Sequence, residues 1–139
     1  MGLISLPTLA VAPRASGAEE SKLALVDQTA LAEPWASAEF KFELAGERVP
    51  GIVIRLPDDR WYASSLICPH AMCVVRYFSD AAVARDTFDV TTNTPVLGCP
   101  CHFSVFDIAN GGKVLSGPAT APPLQLNVEA RDGKIFIGP

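Results

Sequence analysis

Cysteine and histidine are scarce in this sequence: four cysteines and two histidines occur in 139 residues. Other signals are missing altogether. No cluster of lysine or arginine is present and the net charge is −4, so the electrostatic footprint of a nucleic-acid partner is absent. No self-similar period marks a solenoid or a propeller. The apolar run over residues 2–13 is too brief to cross a membrane and is interrupted by Pro7. Only 19% of residues are charged against 49% hydrophobic, which excludes an extended disordered chain and provides for one packed domain.

What is there is concentrated. All six cysteine and histidine residues fall within Cys68-Pro-His-Ala-Met-Cys73 or Cys99-Pro-Cys-His102. Buried cysteines that act as small hydrophobes would be scattered instead. Each box pairs a cysteine with a histidine at close spacing, Cys68-x-His70 in the first and Cys99-x-x-His102 in the second. Thiolates for one metal and imidazoles for another suit a binuclear iron cluster with mixed ligation. Four nitrogen and sulfur donors also suit tetrahedral zinc, a reading that leaves two cysteines without a role. We expect the iron cluster.

Along the chain, residues 1–37 read as the remnant of an export signal or membrane anchor followed by an alanine-rich linker with room for a helical turn. Ala10-Val-Ala12 has the small-residue pattern of a processing site, although nothing basic precedes it; an unstructured terminus is the alternative. The packed domain is expected over residues 38–139. Phe40, Phe42 and Leu44 alternate with charged residues, as in a half-buried strand. Val49 to Leu56 and Trp61 to Ile67 flank the turn Pro57-Asp-Asp-Arg60, and the second of these strands runs into the first box. Beyond the second box, strands over residues 104–108, 113–115, 124–129 and 135–137 are separated by Asn110-Gly-Gly112, a proline-rich loop and Asp132-Gly133. Short strands with such turns imply an all-β antiparallel sandwich or barrel. Residues 74–98, between the boxes, carry Arg76, Asp80, Arg85, Asp86 and Asp89. We expect a solvated surface insertion there, with a docking surface as the alternative.

The first box, together with Cys99-Pro-Cys-His-Phe-Ser104, resembles the two boxes of the disulfide-containing, high-potential Rieske proteins, and Gly117-Pro-Ala-Thr-Ala-Pro-Pro-Leu124 resembles that family's proline loop. The resemblance implies a Rieske-type antiparallel β-sandwich with a cluster-binding subdomain, over about residues 66–123, built from two loops. It implies one [2Fe–2S] cluster bound by Cys68, His70, Cys99 and His102, and a disulfide between Cys73 and Cys101. Closing a loop of roughly 28 residues in this way contributes about 3 to 4 kcal/mol. Ser104 takes the place of a hydroxyl donor to a bridging sulfide, which stabilises the reduced state and raises the potential. Phe106 stands where many respiratory members have a tyrosine that donates to a ligand sulfur. The potential is therefore expected below that of tyrosine-bearing members, in the upper part of the Rieske range of about −150 to +300 mV. His70 and His102, with outer nitrogens near solvent, should couple electron uptake to proton uptake at alkaline pH.

Some positions depart from the respiratory pattern. Ala71-Met72 replaces the usual Leu-Gly of the first box, and Phe103 replaces a glycine after the second histidine; both are expected to shield the cluster. The string from Cys99 to Asp107 resembles the small subunit of arsenite oxidases, whereas the proline loop resembles the respiratory type. The implied function is one-electron transfer as the iron–sulfur subunit of a cytochrome bc-type quinol-oxidising complex, without an independent catalytic site. The alternatives are the electron-relay subunit of an arsenite-oxidase-like molybdoenzyme and, from another class, a zinc-stabilised binding module. The implied partners are a redox subunit, either cytochrome b/c or a molybdopterin protein, and quinol. The implied disulfide favours an oxidising compartment, so the chain is expected in the periplasm or on the outer face of a membrane, exported folded.

Overall fold

The computed structural model describes residues 23–139. The segment read as a signal or anchor remnant lies outside those residues. Among the described residues, ten strands form three antiparallel sheets: β1 (Ala24–Asp27), β10 (Lys134–Gly138) and β9 (Asn127–Arg131) in one; β2 (Ser37–Leu44), β3 (Glu47–Arg55) and β4 (Trp61–Ser65) in a second; and β5 (Arg76–Phe78), β6 (Val96–Gly98), β7 (Val105–Asp107) and β8 (Lys113–Ser116) in a third. The expected all-β class is present.

Two hairpins close through tight two-residue turns. Asp132 and Gly133 both have positive φ, 51° and 71°, and Arg131 pairs with Lys134 around them. A two-residue turn with left-handed dihedrals matches the right-handed twist of the flanking strands. Ala45 and Gly46 do the same between β2 and β3, with φ of 50° and 82° and Leu44 opposite Glu47. Alanine gives no sequence signal for this conformation, and the register there is set by the strands themselves.

Strand β3 lies between two cores and explains the layering. Its alternation sends Val53 to one side and Ile52 and Ile54 to the other, so the run Gly51-Ile-Val-Ile54 is apolar throughout rather than every second residue. On the Val53 side, Val26, Leu31, Phe42, Ala63, Leu126, Ile135 and Ile137 close the core between the first two sheets. On the other side, Ile52 and Ile54 pack with Leu66, Cys68, Leu97, Cys99, Phe106 and Ile108 against the third sheet. Phe40 is half-buried and Phe42 buried, as their alternation predicts, whereas Leu44 at the hairpin end is exposed.

Two expectations need correction. Part of the linker expected over residues 15–37 is built into the fold: Ala24 to Asp27 pair with β10, and Leu31, in a 3-10 turn over Gln28–Leu31, is fully buried. Alternation in so short a strand gives little signal against an alanine-rich background. The segment over residues 74–98 is not a merely solvated insertion. It supplies β5, β6 and the helix α1 (Ala81–Phe88), whose Ala84 and Phe88 pack with Val90, Val96 and Val105 on the outer face of the third sheet. Asp80 caps α1 by accepting from the Ala82 amide at 2.7 Å, and Asp89 ends it in the left-handed conformation.

Candidate metal centre

Both boxes fold into the same turn. In the first, the Cys68 amide donates to the Cys73 carbonyl at 2.7 Å and the Met72 amide to the Cys68 carbonyl at 3.0 Å. In the second, the Cys99 amide donates to the Ser104 carbonyl at 2.8 Å and the Phe103 amide to the Cys99 carbonyl at 3.0 Å. The residue in the fifth place of each turn is left-handed, Met72 with φ 58° and Phe103 with φ 60°. The first turn caps the end of a short ladder, where Ile67 pairs with Val74 and the Val75 amide donates to the Leu66 carbonyl at 2.8 Å. The second connects β6 to β7, which pair as neighbours. Side chains are permuted on this shared backbone: the first-place cysteines, Cys68 and Cys99, are buried beneath the loops, while His70 in third place and His102 in fourth are exposed.

The two imidazoles meet at the tip, with ring centroids 5.0 Å apart and planes at 83°. Beneath them the Cys68 and Cys99 thiols are free and within hydrogen-bonding reach of each other. Burial pushes the Cys68 thiol up; the amides of His70 and Ala71 donate to its sulfur and favour the thiolate, whereas neighbouring Cys99 raises it further. Two buried thiols side by side, one of them already receiving main-chain hydrogen bonds, are suited to a metal that supplies the missing positive charge.

Cys73 and Cys101 are joined in the expected disulfide, with Cα atoms 6.5 Å apart and a separation of 28 positions in the sequence. The sulfurs of Cys73, Cys99 and Cys101 all lie within 4.8 Å of one another, but this trio is no metal site, since two of its sulfurs are consumed in the bridge. Of the cysteines and histidines, Cys68, Cys99, His70 and His102 stay outside the bridge and could hold a metal.

Ser104 is completely buried, and its hydroxyl oxygen accepts from the Ala119 amide at 3.0 Å, which leaves the hydroxyl hydrogen free to be donated. This bond fastens the proline loop to the second box. Gly117, with φ +88°, lets the loop come close: a Cβ there would lie 2.4 Å from the Ser104 Cα. The other end of the loop is tied to β4, where the Ser65 amide donates to the Leu124 carbonyl at 2.8 Å. Phe106 is fully buried in the core that holds both free cysteines. Met72 and Phe103 remain 76% and 53% exposed, so neither closes the tip from solvent.

Sequence reasoning overlooked three supports of the site. Gly98, just before Cys99, and Gly117 give room to Phe88 and to the proline loop respectively. Phe88 itself was detectable only as the end of a capped helical pattern, Asp80 followed by apolar residues up to position 88. Its contact with the second box depends on tertiary packing.

A pair of buried thiols under a pair of exposed imidazoles, on two bridged loops of an antiparallel β protein, defines the class of mixed-ligand iron–sulfur domains. The sequence model of the Rieske [2Fe-2S] domain family matches residues 27–130, and the chain belongs to that family. Its cofactor is a [2Fe–2S] cluster, and its function is iron–sulfur electron transfer. Among curated proteins it is similar to the cytochrome b6-f complex iron-sulfur subunit of Chlorobaculum tepidum, 33% identical over 54% of this chain and 33% of that protein. It is also similar to the menaquinol:cytochrome c reductase iron-sulfur subunit of Geobacillus thermodenitrificans, 30% identical over 55% of this chain and 38% of that protein. The match thus spans less than two-fifths of either relative's length. Among solved structures, the ferredoxin of carbazole 1,9a-dioxygenase from Nocardioides aromaticivorans IC177 covers 86% of this chain and 99% of its own, with a TM-score of 0.50 and 22% identity. The quaternary ammonium Rieske monooxygenase CntA bound to L-carnitine gives 0.57 and 20%, over 85% of this chain and 32% of its own. These two share the fold.

Proposed function

We propose that the chain is the one-electron carrier of a cytochrome bc-type, quinol-oxidising complex, in which Cys68 and Cys99 ligate one iron and His70 and His102 the other. When bound, the cluster takes up and gives back a single electron. The observation that carries this reading is the division of the site: buried thiols on one side, two adjoining exposed imidazoles on the other, and a disulfide across the loops. Exposed imidazoles offer a partner or a quinol a hydrogen-bonding route to the metal, and their outer nitrogens can hold a proton when an electron arrives. Ser104, whose oxygen accepts from the Ala119 amide without using the hydroxyl hydrogen, is suited to hydrogen-bond a bridging sulfide. Phe106 lacks a hydroxyl to add a second such bond. The disulfide favours an oxidising compartment, periplasmic or on the outer face of a membrane. No helix among the described residues is long and apolar enough to cross a membrane. The likeness to a menaquinol:cytochrome c reductase subunit and to a cytochrome b6-f complex subunit supports the quinol-oxidising assignment.

A second reading, the relay subunit of an arsenite-oxidase-like molybdoenzyme, is favoured by one observation: Phe103 and Met72 make the tip bulkier than the Leu-Gly and Gly pattern that docks on cytochrome b. Affinity purification of the tagged chain from its native membranes distinguishes the two. Co-purifying b-type haem, with menaquinol-dependent reduction of the cluster, is the expected result. A molybdopterin subunit in place of the haem would overturn the bc assignment. A colourless, zinc-containing protein would overturn the cluster ligation itself.

A further inference from the structure

The aromatic ring of Phe88 comes from the helix inserted between the boxes, yet it rests on the residues that flank both proposed ligands of the second box. Its ring is edge-on to Phe103, with centroids 5.9 Å apart, and Phe103 directly follows His102. It also lies over Gly98, directly before Cys99, so closely that a Cβ on Gly98 would be 2.4 Å from the ring. Phe78 of β5 holds Phe88 edge-on, with centroids 5.0 Å apart, and also lies against Gly98. Phe103 adopts a left-handed backbone conformation that disfavours a bulky residue. The contact with Phe88 is what a phenylalanine gains at that position and a glycine would not. The equivalent residue of the first box, Met72, is left-handed too but has its side chain largely in solvent.

We propose that Phe88 is a positioning residue for the electron-transfer site: by bracing Phe103 and Gly98 from the outer face of the third sheet it holds the second cluster loop closed against water. This assignment rests on the proposed ligation by Cys99 and His102. Two thiolates leave the oxidised cluster neutral and the reduced cluster singly negative, so water admitted beside it favours reduction and raises the midpoint. The Ser104 hydroxyl oxygen accepts from the Ala119 amide, a bond in which Phe88 takes no part, so loosening Phe88 leaves that hydroxyl anchored.

The test compares Phe88→Ala, Phe88→Leu, Phe103→Gly and the double variant F88A/F103G, each as the purified cluster-loaded chain, by potentiometric titration and by amide hydrogen exchange. For Phe88→Ala we expect about a threefold rise in the reduced-to-oxidised ratio at fixed poise, which is about 28 mV at ~59 mV per tenfold for one electron. The Phe103 amide, bonded to the Cys99 carbonyl, should exchange faster while the Met72 amide does not. Phe88→Leu, which retains bulk over Gly98, should shift the midpoint less. Phe103→Gly should raise the midpoint, and F88A/F103G should rise less than the sum of the two single changes, because the variants break a shared contact. An unchanged midpoint in Phe88→Ala, strictly additive shifts, or equal acceleration of exchange at Met72 and Phe103 would each overturn the proposal. Failure of the ligation itself would show separately, as absence of the cluster spectrum in the unaltered chain.

Discussion

The two cluster loops follow one backbone course and are held in place in different ways. Each closes with the same pair of main-chain hydrogen bonds and places a left-handed residue fifth. The first loop ends in Cys73, half-buried, and is tied across to the second by the disulfide; beyond that it relies on the short ladder at Ile67 and Val74. The second is gripped from two further sides, by Phe88 and by the proline loop through Gly117 and Ala119. A turn of this kind therefore does not need external packing to exist. What packing adds is resistance to opening, and it is supplied unequally.

The largest break in the comparison is loss of the disulfide. Replacing Cys73 and Cys101 together by serine should cost about 3 to 4 kcal/mol by the loop-closure relation, read as a fall in unfolding free energy by denaturant titration. Hydrogen exchange should then accelerate more at Met72 than at Phe103, since the first loop loses its main restraint. Equal acceleration would mean that the extra contacts of the second loop stabilise nothing.

Next in size is Gly117→Ala, which adds a Cβ against backbone atoms of the second loop at a left-handed position. Strain and overpacking together should cost about 2 to 3 kcal/mol, with faster exchange at Phe103 and little change at Met72. Ser104→Ala is smaller. It leaves the buried Ala119 amide without its acceptor, a loss of about 1 to 3 kcal/mol, and should lower the midpoint by removing the donated hydroxyl. A midpoint that stays fixed while stability falls would assign Ser104 to holding the proline loop alone.

A perturbation remote from both loops should not tell them apart. Asp27 accepts from the Thr29 amide and hydroxyl and from Lys134 Nζ, and the Lys134 bond above all holds its carboxyl down at about 2. Because the folded value lies below the ordinary 3.8, this stabilisation is present above that value and is lost as pH falls toward 2. Asp27→Asn should therefore cost a small amount at neutral pH, with the two unfolding curves converging in acid. Exchange at Met72 and Phe103 should be the same in both proteins.

Much of this was legible in the residues, for identifiable reasons. Turn chemistry placed Asp132-Gly133 and Asn110-Gly-Gly112, where special backbone dihedrals demand special residues. Close spacing placed the boxes, because metal donors on one tight loop must be near neighbours in sequence. Strand β1 was missed because four residues carry too little alternation, and the role of residues 74–98 was missed because surface charges such as Arg85 and Asp86 conceal Ala84 and Phe88 on the inner face of α1.

The sequence by itself determined the chemistry: which six side chains could serve a cluster, and that the strands around them alternate as an antiparallel sheet should. Only the tertiary structure decided how firmly each loop is held. Ligand spacing is a local property of the chain, set within six residues, whereas the contacts of Phe88 with Phe103 and of Ser104 with Ala119 join residues 15 apart in sequence and exist only once the sheets have packed.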